Sequence, residues 1–429
     1  MQPAHGGPLL SSAELTIAVR PRPNGTLEMK LTPQVNVVQS RSPGRHNHVP
    51  VLDGLRGMAI VLVMFEHFHL PKVGHSSPDP HYLGFSSAGW IGVDLFFVLS
   101  GYLITGILLD TKLSPNYFRN FYARRALRIF PLAFGFLFFL FVVVAGVHPW
   151  LSEGYRQAVA HQWWFWCYLT NVYVAMNGSW SVAPGVGHFW SLAIEEQFYL
   201  IWPLVVFLSN PTQLRRFCLA LILGALVLRI YLVVSGYNPI AVYVLTPTRM
   251  DSLAFGAILA LVSRGKELSD VALKANRRIL FLAAVALGCL CLWRHGWSEQ
   301  DSVVQTIGYT IQGMFFASLL LHVQGAGSSG RIARFFGTAT LRKIGHYSYA
   351  MYVLHPMVGG FLEPRLLRFA TRAALPWHES QLLFLVLGIA ATFAVAAISW
   401  YLLESRFLSL KRYFGPESRG RPFVLPSTD

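Results

Sequence analysis

Ten apolar stretches recur along this chain with only short polar breaks between them, at 54–71, 88–109, 129–147, 190–209, 217–235, 250–263, 279–294, 303–323, 345–361 and 382–403. Several approach the roughly 20 residues that an α-helix needs to cross a bilayer. In the hydrocarbon a backbone must satisfy its own hydrogen bonds, so such repeated stretches can only become helices or a closed barrel. Their unbroken apolar character, rather than a two-residue alternation, selects helices. Composition agrees: 54% of the 429 residues are apolar and Phe occurs 31 times. Charged residues make up 13%, about half the roughly 25% of an ordinary soluble domain. The expected fold is an all-α, polytopic integral membrane protein of about ten transmembrane helices.

The charge balance then orients the chain. There are 35 Lys and Arg against 20 Asp and Glu, a net charge of +15. A nucleic-acid surface would explain such an excess only with a soluble fold carrying a basic patch, which this pattern excludes. The basic residues instead gather in loops, at Arg124/Arg125/Arg128, Arg215/Arg216, Arg264 through Arg278, Arg331 through Lys343 and Lys411/Arg412. Ten spans with a cytoplasmic N-terminus put every cluster on the cytoplasmic side and leave both termini there. A further apolar segment at 163–176, WWFWCYLTNVYVAM, would invert all later clusters if it crossed, so it reads as an interfacial or re-entrant piece of a long extracytoplasmic loop, 148–189. Three regions follow: a flexible cytoplasmic tail at 1–48 rich in Pro, Gly and Ser, a transmembrane domain at 49–405, and a cytoplasmic tail at 406–429. The four cysteines show no disulfide spacing, and Cys289 and Cys291 read as small buried hydrophobes.

Ionisable residues inside membrane spans are costly and default to functional roles. The first span, LDGLRGMAIVLVMFEHF, holds Asp53, Arg56, Glu66 and His67. Arg56 and His67 are eleven positions apart, so they share a helix face about 16 Å apart along the axis. Arg56 would sit at the cytoplasmic entrance and His67 deep in the membrane, as a snorkelling residue and a cap or as parts of a catalytic site. In the second span, GWIGVDLFFVLSGYLITGILL, Asp94, Ser100 and Tyr102 interrupt an apolar helix, and Gly89, Gly92 and Gly101 permit close helix approach. Asp94 could pair with Arg56, and Ser100 could be a nucleophile or simply bond its own backbone. Arg124, Arg125 and Arg128 before the third span either set topology or clamp phosphates, with Arg124 and Arg128 on one face at i,i+4. Ser191, Glu195 and Tyr199 form one stripe of the fourth span, while the adjacent Glu196 points about 100° away. Arg249 and Asp251 at the start of the sixth span read as a mutual or interhelical ion pair, and His355 before Pro356 as a cap or a catalytic group.

Six of these segments, in order, resemble the acyltransferase-3 family of integral-membrane O-acyltransferases. They are Arg56-x10-His67, GVDLFFVLSGYLI at 92–104, RRALRIFP at 124–131, HFWSLAIEEQFYLIWP at 188–203, RMDSLAFG at 249–256 and SYAMYVLHP at 348–356. The resemblance covers residues 50–405 and is to the family's stand-alone branch, without a fused extracytoplasmic SGNH hydrolase-like domain. It implies transfer of an acyl group, often acetyl, from acyl-coenzyme A to a hydroxyl of a carbohydrate or glycosylated acceptor, in a bacterial cytoplasmic membrane. It also implies that Arg56 and His67 are an essential pair and that Arg124, Arg125 and Arg128 contact donor phosphates. A separate extracytoplasmic partner then becomes an expectation, and no metal or permanently bound cofactor does.

A thioester is already activated, so such an enzyme must bind the donor, deprotonate the acceptor and stabilise the oxyanion. His67 would be the base, with Glu195 or Glu196 orienting it or holding the sugar; Asp53, Asp94, Ser100, Tyr102, Arg249, Asp251 and His355 are supporting candidates. Direct transfer and an acyl-enzyme on His67 or Ser100 both remain open. The competing class is a proton-coupled transporter or flippase of a glycan or small molecule, which would also bury Glu, His and Arg but would not consume a thioester.

Overall fold

The computed structural model describes residues 15–21, 27–33, 50–70, 88–147, 152–264, 270–325 and 330–415. The chain divides into two units, Met1–His48 and Val49–Asp429. In the first, β1 (Leu15–Pro21) pairs antiparallel with β2 (Leu27–Pro33), Leu15 opposite Pro33 and Pro21 opposite Leu27. The region expected as a flexible tail therefore contains a hairpin. Proline at the end of both strands stops the ladder, because it has no N–H to donate.

The described residues of the second unit form helices joined by turns and loops, with no strand among them. Its long helices are α1 (Pro50–His67), α2 (Ile91–Thr111), α3 (Tyr117–Phe138), α4 (Phe189–Leu208) and α5 (Pro211–Val234). They continue with α6 (Thr246–Val262), α7 (Asp270–Trp293), α8 (Tyr309–Gly325), α9 (Ser348–Arg372) and α10 (Trp377–Ser399). These ten coincide in order with the ten apolar stretches. Among the described residues, eight helical segments are long and apolar enough to cross a membrane. The other two, α1 and α9, carry the charged and prolyl residues that lower their hydropathy. Apart from the hairpin of the first unit, this is an all-α polytopic membrane protein.

Boundaries move where polar residues prolong a helix. The third helix begins at Tyr117, not near 129, so Arg124, Arg125 and Arg128 stand on its first turns rather than in a loop. It runs on through a π-helical segment, Phe139–Val144. After α10, helical segments continue past residue 405 as Trp400–Glu404, Ser405–Ser409 and Leu410–Phe414. The 163–176 segment forms two short helices, Trp163–Trp166 and Thr170–Asn177, each far too short to cross a bilayer. Residues 71–87, between α1 and α2, lie outside the described residues.

Sequence signals explain the sharpest helix starts. At α5, Asn210 and Gln213 form a reciprocal capping box and Pro211 occupies the first turn. The core gathers where α1, α2, α4, α6, α8 and α9 meet, around Ile60, Val63, Phe97, Ile194, Leu253 and Met351. Helix α7 is peripheral and presents Phe281, Leu282 and Leu292 outward, as lipid contact requires. Cys289 on that helix is exposed and Cys291 only half-buried, against the expectation of two buried hydrophobes.

Helices α2 and α6 pack backbone to backbone. A Cβ added to Gly101 would lie 2.0 Å from the Leu253 carbonyl oxygen, and one added to Gly256 would lie 2.1 Å from that of Val98. Only glycine fits at this reciprocal contact. Gly256→Ala should therefore cost about 1–3 kcal/mol by overpacking, read as a lowered melting temperature of the detergent-solubilised protein; an unchanged melting temperature would mean that the helices separate freely.

Candidate active site

Two buried ion pairs fix the frame. Asp94 on α2 meets Arg249 on α6 at 2.7 Å, both fully buried. Ser252 Oγ and Gln312 Nε2 donate to the same carboxylate at 2.8 and 2.6 Å. The Arg249 guanidinium lies 4.1 Å from the Tyr309 ring centroid. Asp251, on the next face of α6, accepts from Arg229 of α5 at 2.8 Å and from Thr310 at 3.0 Å. The Asp94–Arg56 pairing considered above does not form, and Arg249 and Asp251 do not pair with each other but with neighbouring helices. Arg229, Thr310 and Gln312 belong to this network without having stood out as candidates. Arg229 sits alone in an apolar run and Thr310 and Gln312 are uncharged, so only the packing supplies their partners.

Beyond the Asp94 contact, α2 presents Ser100 to α4. Ser100 Oγ donates to Glu195 Oε1 at 2.7 Å and accepts from the Tyr199 hydroxyl at 3.0 Å. Tyr199 also reaches Glu195 Oε2 at 3.1 Å. Ser100 thus pairs across helices instead of with its own backbone. The stripe of Ser191, Glu195 and Tyr199 faces a cavity of about 110 Å³, which Arg56, Arg125 and Arg128 also line. Three guanidinium groups and one carboxylate face this small space. Arg56 additionally holds Asp53 at 3.2 Å. Arg124 turns away and donates to the Phe414 carbonyl at 3.3 Å. It is Arg125 and Arg128, at i,i+3, that share the cavity, because the helix face they define is turned toward α1 and α4. Glu196 does not line it. Tyr102 also points elsewhere, donating to Gln324 at 3.1 Å.

His67, at the far end of α1 from Arg56, opens onto a second cavity of about 420 Å³. Its Nδ1 is 2.9 Å from the Val63 carbonyl oxygen. A carbonyl only accepts, so Nδ1 carries the proton and Nε2 keeps its lone pair. The His355 ring lies 4.7 Å from that of His67, and the His188 ring 5.0 Å from that of His355. His355 Nδ1 faces the Tyr352 carbonyl at 2.7 Å, while its buried Nε2 has no hydrogen-bond partner. His188 was legible only as part of a motif, and its place among three histidines depends on α4 meeting α9. Among the described residues no group of His, Cys, Asp or Glu is arranged to hold a metal ion.

The two cavities meet at Val93 and Tyr352, which line both. Tyr352 is held by Ser191 Oγ at 2.5 Å and donates to the His188 carbonyl at 2.6 Å. One pocket is thus strongly cationic, the other carries imidazoles and carboxylates, and Val93 and Tyr352 stand between them.

The bundle thus sets a guanidinium-lined cavity beside a histidine-lined one, with Arg56 on the first and His67 on the second. The family model described as an acyltransferase domain covers residues 49–402, and the chain belongs to this acyltransferase-3 family. Among its relatives are the peptidoglycan O-acetyltransferase OatA of Listeria monocytogenes, 30% identical over 83% of this chain and 55% of its own length, and the putative peptidoglycan O-acetyltransferase YrhL of Bacillus subtilis, 30% identical over 84% and 55%. The O-acetyltransferase OatA of Staphylococcus aureus is 30% identical over 72% of this chain and 50% of its own length. The chain spans about half the length of these curated relatives. No solved structure matches it.

Proposed function

We propose that this protein is a membrane O-acyltransferase that moves an acyl group, acetyl in the simplest case, from acyl-coenzyme A to a hydroxyl of a carbohydrate acceptor. The observation that carries this reading is the junction of the two cavities at Val93 and Tyr352, with guanidinium groups on one side and His67 on the other. The donor's phosphates take the arginine cavity, where planar guanidinium groups bind them bidentately. Its thioester arm then points past Tyr352 toward His67. The acceptor occupies the histidine cavity.

In the step itself, His67 Nε2 takes the proton of the acceptor hydroxyl as its oxygen attacks the thioester carbonyl. A C–O bond forms and the C–S bond breaks. The departing thiolate recovers the proton from His67, leaving an ester, free coenzyme A and the imidazole as it began. The Tyr352 hydroxyl, whose proton goes to the His188 carbonyl, is held in the wall between donor and acceptor. Ser100 and Glu195 complete the donor side as polar groups held by Tyr199. The arginine cavity faces the cytoplasm, where acyl-coenzyme A is made, and both termini lie on that side. The peptidoglycan named for the relatives makes an extracytoplasmic glycan the natural class of acceptor, with a separate partner able to carry the group onward.

The test is donor kinetics. Charge-assisted contacts contribute about 1.5–3 kcal/mol each, so Arg125→Ala with Arg128→Ala should raise the donor KM by roughly two orders of magnitude or more and lower kcat less. Arg124→Ala, which lies outside the cavity, should leave the donor KM near that of the parent. Equal effects of Arg124→Ala and the double variant would remove the phosphate role from this cavity.

A further inference from the structure

The histidine cavity has a lining that the transfer step does not use. Trp180 and Trp190 both face it, and Tyr243 lies between them, its ring centroid 4.5 Å from that of Trp190 and 6.4 Å from that of Trp180. Two carboxylates, Glu66 and Glu299, stand on the same walls. The turn that follows Trp180 adds Ala183, Pro184, Gly185 and Gly187, small residues that leave the space open. Among the described residues that line this cavity there is no lysine or arginine, in contrast to the three arginines of the neighbouring one.

The ligand chemistry follows from these groups. At about 420 Å³ the cavity is within the range of small-ligand sites. Flat indole and phenol faces accept the C–H face of a ring laid on them, and their polar edges stay available at the rim. Glu66 Oε2 is buried without a hydrogen-bond partner, and an unpaired buried acceptor costs free energy until a donor meets it. A ligand with an apolar ring face and several hydroxyl donors supplies both needs. An anionic ligand would face two carboxylates and no cation, which disfavours it.

We propose that this aromatic and carboxylate-lined cavity is a binding site for an uncharged sugar ring, stacked on Trp180 and donating hydroxyl protons to Glu66, and that it discriminates against phosphorylated and uronic sugars. The proposal rests on the transferase reading above in that it supplies the acceptor's seat beside His67, but it is a binding statement and is tested as one.

Trp180 suits the test because its ring is only half-buried. Its local turn is held independently, the Ser179 side chain accepting from the Ser181 N–H at 3.2 Å. Neutral disaccharides, namely N,N′-diacetylchitobiose, cellobiose and maltose, would be titrated calorimetrically into the full chain in detergent micelles, with glucose 6-phosphate and glucuronic acid as anionic counterparts. At least one neutral disaccharide should bind more tightly than both anions. Trp180→Ala should weaken it roughly tenfold, Trp180→Phe should restore most of the affinity, and acetyl-coenzyme A binding should be unchanged in both. No binding of any neutral disaccharide, equal binding of the anions, or an unaltered affinity in Trp180→Ala would overturn the site. Sugar binding lost in Trp180→Ala, in a chain that consumes no acetyl-coenzyme A, would leave the site standing and sink the transferase reading instead. Acyl transfer to a disaccharide with an acceptor KM indifferent to Trp180→Ala would do the reverse.

Discussion

Replacing His67 by Gln should reduce acyl transfer by about 10²–10⁴-fold, the typical loss of a general base, while the chain still inserts and folds. Glutamine keeps a similar volume and no charge, so local packing is kept while the basic Nε2 lone pair is lost. No other side chain can take over from the same position. His355 lies behind it, fully buried, with its own Nδ1 committed to the Tyr352 carbonyl. The measurement is thiol release from acetyl-coenzyme A in the presence of acceptor, beside a donor-binding assay that should be unaffected. Near-native transfer by a well-expressed His67→Gln protein would pass the role to His355, whose free Nε2 is next in reach.

The second large effect concerns stability. Asp94→Ala leaves Arg249 fully buried with no counter-charge, and breaking one side of a buried pair costs about 3–5 kcal/mol. Both groups are fully buried within the protein, so water cannot relieve that loss. The double variant Asp94→Leu with Arg249→Met removes both charges and should recover most of the stability, because a matched apolar pair needs no desolvation. Thermal unfolding in detergent measures both. If the double variant is as unstable as the single one, the hydrogen bonds from Ser252 and Gln312, rather than the ion pair, are what hold α2 to α6. Activity should follow stability here, since the same helix carries Ser100 to Glu195.

Much of the site was legible without coordinates where a residue's cost exposes it. A lone Arg, Glu or His in a membrane helix must have a reason, so Arg56, His67, Glu195 and Asp94 announce themselves by residue type alone. Spacing on one helix was equally readable. Arg56 and His67 do lie on one helix, each facing a different cavity, and Ser191, Glu195 and Tyr199 do share a face. Residues whose role depends on another helix were not. Tyr352 and Ser191 become a partition only because α9 meets α4, and Arg229 becomes the partner of Asp251 only because α5 crosses α6.

By itself, then, the sequence determined an all-α membrane bundle of ten long helices, because lipid leaves a backbone no other way to satisfy its hydrogen bonds and hydropathy reads that constraint directly. It also determined which residues are too costly to be idle. The tertiary structure alone decided which of them meet. It sent Arg124 to the Phe414 carbonyl while Arg125 and Arg128 entered a shared cavity, gave Asp94 to Arg249 instead of Arg56, and set Val93 and Tyr352 between the arginine cavity and that of His67. The physical reason is rotational. Helical periodicity sets which residues share a stripe, but the azimuth of each stripe is set by packing against neighbours, such as the glycine contact between α2 and α6.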